Sequence, residues 1–271
     1  MTVLITGGTG LVGTRLLRRL VDAGIECRAL VRAGKELPEG VTPVEGDLLD
    51  PTTLPEAVNG VSAVIHLAAV LRAPDPALIE QVNVGGTRNL IEAVQTHAPA
   101  ARVIMASTSL VYNDDLSRPA CEEDPADAQL PYPATKIVAE RLLRESGLTW
   151  NVLRFSFVYG DGDGHLQSAP GLLGSWNWHP AAMMSLIHHR DIATAMLLAL
   201  TGAMDGRVVN LSDDAPMSVY EIARLVGAEY KESAEPLENP WKGHVDGTLA
   251  RELGFRPLVR SAYQAAAEGA L

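Results

Sequence analysis

The sequence predicts an α/β fold, a doubly wound parallel sheet with helices on both faces, and three observations predict it. An apolar run, Val3-Leu4-Ile5, leads into Thr6-Gly7-Gly8-Thr9-Gly10-Leu11-Val12-Gly13, and helical apolar spacing follows at Leu16, Leu17, Leu20 and Val21. That order is strand, glycine turn, helix. Strand-like and helix-like stretches then alternate, the pattern of parallel strands joined by right-handed crossovers. Finally, 271 residues, 47% of them apolar, suit one large domain, or a larger domain with a small appendage, and can bury a sizeable core.

The first element carries the clearest chemistry. Glycines let a backbone turn tightly and approach a pyrophosphate, and the helix that follows aims free N–H groups and its positive dipole end at the charge. Gly8, Gly10 and Gly13 fit the standard dinucleotide spacing, and Gly7, Gly10 and Gly13 a wider one. Gly7, Gly10, Leu11, Val12 and Gly13 are therefore candidate cofactor residues. Residues 26–31 read as the second strand, whose end reaches the adenosine ribose. A carboxylate there would select NAD, but Val31 and Arg32 stand in its place, and Lys35 lies three residues on. A cation suits a 2′-phosphate, so the expected cofactor is NADP, with NAD as the alternative. The plain reading of Arg32 is a solvated residue at a strand end.

Residues 41–44 form a short third strand that Gly46-Asp47-Leu48 ends, with Asp47 placed to accept from an adenine amine. Residues 62–67 are a fourth strand, apolar enough to be buried on both faces. The small Ala68 and Ala69 let a cofactor pass over its end, and His66 reads as a packed residue rather than a catalyst. Apolar spacing from Ile79 to Val94 is helical, interrupted by the polar Asn83 and Thr87. Residues 102–106 are the fifth strand, followed at once by Ser107-Thr108-Ser109, and residues 113–131 form a polar, acidic, proline-bearing loop. Tyr132-Pro133-Ala134-Thr135-Lys136 then opens a helix, with Tyr132 and Lys136 on one face, and residues 149–153 are the sixth strand.

Composition excludes several classes of function. A net charge of −11 argues against nucleic-acid or anionic-membrane partners, and two cysteines are too few for a disulfide framework or a metal cluster. No apolar run is long enough to span a bilayer, and the first strand begins at residue 2, leaving no room for a leader. The expectation is a cytoplasmic protein with a small-molecule substrate and no metal.

Nine separated motifs agree in order. They are the glycine turn, Gly46-Asp47-Leu48, His66-Leu67-Ala68-Ala69, Asn83-Val84-Gly85-Gly86-Thr87, Ser107-Thr108 with Val111-Tyr112, Tyr132…Lys136, Leu153-Arg154 with Val158-Tyr159-Gly160, His188…Asp191, and Asn210-Leu211-Ser212. Over nearly its whole length the chain resembles the extended short-chain dehydrogenase/reductases, the NAD(P)-dependent epimerase/dehydratase-like group. The resemblance implies a Rossmann-type doubly wound sheet with a small interleaved C-terminal substrate domain. Residues 1–155 would bind NAD(P), with 187–211 returning to that domain, and 156–186 with 212–271 would form a reduced substrate domain with helices at 219–226 and 249–253. A homodimer through helices near 84–97 and 133–146 is likewise implied.

The resemblance also assigns roles. Tyr132 would be the general acid/base. Lys136 and the positive nicotinamide would lower its pKa, and Lys136 would also bind the nicotinamide ribose. Thr108 would hydrogen-bond the reacting oxygen, with Ser107 and Ser109 as alternatives. Leu48, Leu67, Ala68, Ala69 and Phe155 join Arg32 and Asp47 as cofactor candidates, and Ser109, Phe157, Val158 and Trp176 are substrate candidates. Asn83 would kink or bridge its helix. Nucleotide-sugar enzymes of this group hold a diphosphate with Arg or Lys and an Asn near residue 157. Here Phe157 stands there, and no Lys or Arg occurs between Arg154 and Arg190. Leu172, Leu173, Trp176, Trp178, Met183 and Met184 line that stretch instead and favour an apolar carbonyl compound, unless they are core or an oligomer surface. Arg207, Arg251 and Arg256 could still reach a phosphate, so a nucleotide-sugar epimerase/dehydratase is the alternative. A non-catalytic NADP(H) sensor is the second, although such sensors lack the Tyr and Lys.

Overall fold

The computed structural model describes residues 1–113 and 115–271; residue 114, in the loop read at 113–131, lies outside the described residues. The chain opens with β1 (Thr2–Thr6), α1 (Leu11–Asp22), β2 (Glu26–Val31), β3 (Val41–Glu45), α2 (Leu54–Val58) and β4 (Ala63–His66). The helical stretch around Asn83 is three pieces in line: α3 (Pro76–Glu80), one π-helical turn (Gln81–Gly86) and α4 (Thr87–His97). The polar Asn83 and Thr87 that interrupt the apolar spacing sit at this widened turn, a feature common at functional sites. Next come β5 (Arg102–Thr108), α5 (Pro131–Arg144) and β6 (Thr149–Phe155).

Seven strands form one parallel sheet in the order β10-β6-β5-β4-β1-β2-β3, where β10 spans Val208–Leu211. The order reverses between β1 and β4, so a crevice opens at the carboxyl ends of these two strands. On one face α1 packs with α7 (His189–Leu200), burying Leu16, Leu17, Leu20, Ile192 and Met196 against Val3, Ile5 and Ile104. On the other face α2, α4 and α5 bury Leu54, Leu90, Val94 and Leu143 against Leu4, Val64 and Val103.

A smaller layer lies beyond the sheet's carboxyl edge. It holds β7 (Phe157–Tyr159), α6 (His165–Ser175), β8 (Met183–Met184), β9 (Leu186–His188), β11 (Met217–Ser218), α8 (Val219–Leu225), α9 (Thr248–Glu252) and α10 (Ala262–Ala267). Tyr159, Leu166, Leu173, Ile222 and Ala262 form its core. Two details differ from a simple interleaving. Residues 186–188 pair with β7 rather than entering the main sheet, which the chain rejoins at β10. Ala250 and Phe255 of the last sixty residues pack in the α1–α7 core, because α9 lies against β10. The sequence reading contained neither α6, which carries Pro170 in its interior, nor the two-stranded pairs β7–β9 and β8–β11.

Candidate active site

The glycine turn forms a cradle at the crevice. Gly7 has φ +75°, and a Cβ there would lie 2.6 Å from the Ala68 backbone nitrogen, so only glycine fits between the ends of β1 and β4. A Cβ on Gly13 would lie 2.1 Å from the Gly7 carbonyl oxygen, so this glycine lets α1 close onto the turn. No side chain caps α1 at Gly10, which leaves the first-turn N–H groups facing the crevice. A cavity of ≈ 400 Å³ runs along it, lined by Gly7 and Gly10, by Arg32 and Lys35, and by Asp47 and Leu48, with Leu67, Ala68 and Ala69 as floor. Gly13 packs beneath rather than lining it. One Asp47 oxygen accepts from the Leu49 N–H at 2.9 Å, fixing the loop that presents it. These donors, cations and Cβ-free surfaces fit a dinucleotide.

A second cavity, ≈ 300 Å³, shares Leu67 and Ala69 with the first and holds Thr108, Tyr132 and Lys136 at one end. Pro131 starts α5, so Tyr132 lies in its first turn and Lys136 one turn on, on the same face. Ser107 donates its hydroxyl proton to Glu140, whereas the Thr108 oxygen accepts from the Leu110 N–H at 3.2 Å and keeps its own proton to donate. That difference separates Thr108 from Ser107. Ser109 lines the same space. Burial pushes the Tyr132 phenol up to about 12 and the Lys136 ammonium down to about 8, with the Glu140 carboxylate pulling the lysine back upward. In the protein alone, burial is what sets the Tyr132 phenol.

A buried polar scaffold holds this end in place. Arg154 grips Glu140 with two hydrogen bonds, Nε to Oε1 at 3.1 Å and Nη2 to Oε2 at 2.7 Å. Its Nη1 donates to the Tyr112 hydroxyl at 2.8 Å, which donates to Asn210 at 2.7 Å. The scaffold ties β5, α5, β6 and β10 together beneath the cavity. His66 is buried and pushed down to about 3, by burial first and by the nearby Lys136 charge second. Its tautomer follows from its neighbours. Thr87 donates to the Asn83 carbonyl at 2.6 Å, so it accepts from His66 Nε2–H at 2.9 Å; Nδ1 then accepts from the Thr6 hydroxyl at 2.7 Å. Asn83 touches neither cavity. Its side chain clamps Val70, accepting from its N–H at 2.7 Å and donating to its carbonyl at 3.0 Å. It also donates to Thr135, which donates to the Tyr132 carbonyl at 2.7 Å. The π-helical turn thus fixes the loop after β4 against the first turn of α5.

Beyond Tyr132 the ≈ 300 Å³ cavity is lined by Leu11, Val12, Phe155, Phe157, Val158 and by Leu172, Leu173, Trp176, Trp178 and Met184. All four substrate candidates, Ser109, Phe157, Val158 and Trp176, line it. His165 stacks on Phe157 with ring centroids 4.7 Å apart, and its Nδ1 bonds the Val158 carbonyl at 2.8 Å. Met183 does not line it. Neither do Arg207, Arg251 and Arg256; Arg251 pairs with Asp214 at 2.8 Å and Arg256 bonds backbone carbonyls. Sequence reasoning missed Leu71, Arg72, Leu110, Ser156, His165, Ser185 and Gly243. Leu71 and Arg72 lie two and three residues after the His66-Leu67-Ala68-Ala69 motif, a position that could have flagged them; Gly243 carries no local signal. Among the described residues no group of three or more His, Cys, Asp or Glu could hold a metal ion, and no helix is long and apolar enough to cross a membrane.

Residues 3–212 match the model of the NAD dependent epimerase/dehydratase family. The chain is 32% identical over 247 residues, 83% of its length and 72% of the relative's, to the 4-hydroxy-2-methyl-3-oxo-4-farnesyl-3,4-dihydroquinoline-1-oxide ketoreductase of Stigmatella aurantiaca. It is 29% identical over 253 residues, 83% of its length and 68% of the relative's, to a 3 beta-hydroxysteroid dehydrogenase/Delta 5-->4-isomerase of Mycobacterium tuberculosis. Among solved structures, UDP-glucose 4-epimerase from Brucella ovis in complex with NAD superposes with a TM-score of 0.82 at 25% identity, covering 97% of this chain and 95% of that one.

Proposed function

Since the chain belongs to the NAD dependent epimerase/dehydratase family and is an NAD(P)-dependent enzyme of the short-chain dehydrogenase/reductase type, we propose that it reversibly reduces the carbonyl group of a small, largely apolar substrate with NADP(H). The observation that carries this reading is the apolar cavity that continues from Tyr132 and Lys136 to Phe157, Trp176 and Trp178. Such a lining binds by burial. A diphosphate leaves water only where cations replace its hydration; the candidates Arg207, Arg251 and Arg256 stand elsewhere, and besides Lys136 a single cation, Arg72, lines the cavity among the described residues. The names of the farnesyl-quinoline ketoreductase and the hydroxysteroid dehydrogenase point the same way.

Gly7, Gly10, Leu11 and Val12 would hold the pyrophosphate, with Gly13 shaping the turn beneath. Arg32 and Lys35 would hold a 2′-phosphate, Asp47 and Leu48 the adenine, and Leu67, Ala68, Ala69 and Phe155 the passage toward the nicotinamide. When bound, the dinucleotide supplies or accepts the hydride. Lys136 would hold the nicotinamide ribose, with its ammonium in the same end of the cavity as Tyr132. Thr108 donates a hydrogen bond to the reacting oxygen and fixes its position. In reduction the Tyr132 hydroxyl would give its proton to that oxygen as a hydride adds to the carbonyl carbon, leaving an alcohol and a tyrosinate that regains its proton from water. A phenol held near 12 keeps this proton at neutral pH, where it can serve as the acid in reduction; oxidation needs the tyrosinate and should accelerate as pH rises.

The test is a panel of hydrophobic ketones with NADPH, followed at the nicotinamide absorbance band, beside calorimetric titration of the NADP complex with UDP and dTDP. Ketone turnover without nucleotide binding is expected. The similarity to UDP-glucose 4-epimerase sustains the second reading, a nucleotide-sugar epimerase/dehydratase. Micromolar binding of either nucleotide, competitive with turnover, would overturn the first reading in its favour. Binding of NADP(H) without turnover across the panel would favour a sensor.

A further inference from the structure

We infer that Arg72 is an anion-recognition residue and that the substrate carries one anionic group, a carboxylate, at the end of an apolar body remote from its carbonyl; this rests on the carbonyl-reduction reading above. The ≈ 300 Å³ cavity does not end at Trp176. A further chamber of ≈ 560 Å³ shares Ala69, Leu71, Arg72, His165 and Leu172 with it. Tyr132 and Lys136 lie in the inner space, and Arg72 stands where the two spaces join.

The charges there are one-sided. Among the described residues no Asp or Glu lines either chamber, and Lys136 and Arg72 are the Lys and Arg residues that do. Arg102, Arg118, Arg154 and Arg251 each meet a carboxylate. Arg72 meets no carboxylate among the described residues. Its guanidinium lies 5.9 Å from the centre of the Trp176 ring, a contact that orients the fork without neutralising it. Two other polar groups of the outer chamber are engaged by the protein itself. Ser168 donates to the His165 carbonyl at 2.8 Å, and His165 Nδ1 bonds Val158.

The surroundings of this cation are apolar and exposed. Leu71 is 47% exposed, Leu110 49% and Trp176 50%, and all three line the inner cavity. Exposed apolar side chains gathered at a cavity mouth mark a binding surface. A neutral hydrocarbon would need no arginine there, and a diphosphate would need more than one. A single guanidinium beside an apolar channel suits one carboxylate, which it can hold with two parallel N–H donors.

The experiment uses the full chain with NADP bound and reads binding before turnover. Decanoate and 2-decanone, equal in chain length, are titrated by calorimetry against the wild type, Arg72→Gln and Arg72→Lys. Decanoate should bind about tenfold tighter or more to the wild type, and the preference should weaken with added salt. Arg72→Gln should abolish the preference and Arg72→Lys retain part of it. Equal binding of the two probes to the wild type, or an unchanged preference in Arg72→Gln, overturns the inference. Turnover is then compared for 9-oxodecanoate, its methyl ester and 2-decanone. Reduction of all three at equal kcat/KM removes the anion site and leaves the carbonyl reading standing. Arg72-dependent binding of decanoate with no ketone reduced removes the carbonyl reading and leaves the anion site standing.

Discussion

The two ends of the crevice are built from different material. At the β1–α1 end the walls are backbone: the Gly7 and Gly13 positions are closed against other backbone atoms at 2.6 and 2.1 Å, and the uncapped first turn of α1 supplies the donors. At the Tyr132 end the walls are side chains drawn from the ends of β4, β5 and β6, from α5 and α6, and from residues as distant as Trp178 and Met184. A backbone site depends on glycine spacing and tolerates no added atom. A side-chain site depends on which residues the fold brings together, and each can change while the frame persists. That contrast explains how relatives of one frame carry names as different as ketoreductase and UDP-glucose 4-epimerase.

The most severe test of the contrast is Gly13→Ala. Its methyl group would overlap the Gly7 carbonyl and approach Gly8 Cα at 2.7 Å, and backbone cannot step aside as a flexible side chain can. Dinucleotide affinity should fall by roughly a hundredfold or more, a loss near 3 kcal/mol. Calorimetry with NADP, with thermal unfolding alongside, measures it. At Gly85 a Cβ meets nothing within 4 Å, and Gly85→Ala serves as the comparison for a glycine free of such contacts. Equal affinity of Gly13→Ala and the wild type would show that the turn is less rigid than its geometry.

At the other end Tyr132→Phe removes one oxygen and keeps the ring. Ketone reduction should fall by about a hundredfold or more, with the NADP dissociation constant nearly unchanged. The pH profile sharpens the assignment. With the phenol near 12 the wild type should reduce ketones at a rate that stays level through neutral pH. Oxidation of the alcohol should rise with pH, until loss of the Lys136 charge above about 8 weakens the site. A Tyr132→Phe enzyme with near-normal kcat would move the proton transfer to another group.

The same contrast governs what could be read from the sequence. Gly7, Gly10, Arg32 and Asp47 were legible because strand, turn and helix are neighbours along the chain, and the crevice follows from their order. Tyr132 and Lys136 were legible because four residues make one helical turn. Arg72 was not, since the sequence gives no measure of how the loop after β4 meets Trp176, about a hundred residues later. The β7–β9 pair escaped because three-residue strands show no clear alternation. The upward push on Tyr132 escaped because desolvation is set by everything that surrounds the ring.

Arg32 stands between the two kinds of site, a side chain at the backbone-built end. Arg32→Asp should change the ratio of NADP to NAD affinity by roughly tenfold or more toward NAD, since a carboxylate repels a 2′-phosphate and accepts from ribose hydroxyls. Lys35 lines the same cavity and should preserve part of the NADP affinity. Parallel titrations of the two cofactors decide it. Equal wild-type affinity for both would remove the reason for assigning NADP.

The smallest expected effect concerns His66, which joins the two ends from below, between Thr6 of β1 and Thr87 of α4. Its ring is held neutral, pushed from the ordinary 6.5 down to about 3 by burial and then by Lys136. Between these values the unfolded chain binds a proton that the folded protein refuses. The stability this group contributes is therefore full above pH 6.5 and is lost as pH falls toward 3. At pH 5 the loss is about 2 kcal/mol. Asp213, raised by burial to about 8, and Asp191, raised to about 6, act oppositely: folding favours their protonated forms, so acidification stabilises through them. The wild-type slope is the sum of these effects, and a variant isolates one. His66→Gln cannot titrate. It should lower stability at pH 7.5, through poorer bonding to the two threonines, yet lose less on going to pH 5 than the wild type does. Denaturant unfolding at the two pH values measures the difference of slopes. Parallel slopes, or an imidazole that protonates near 6.5 in the folded protein by nuclear magnetic resonance, would show that water reaches His66 and that the two ends are not sealed from below.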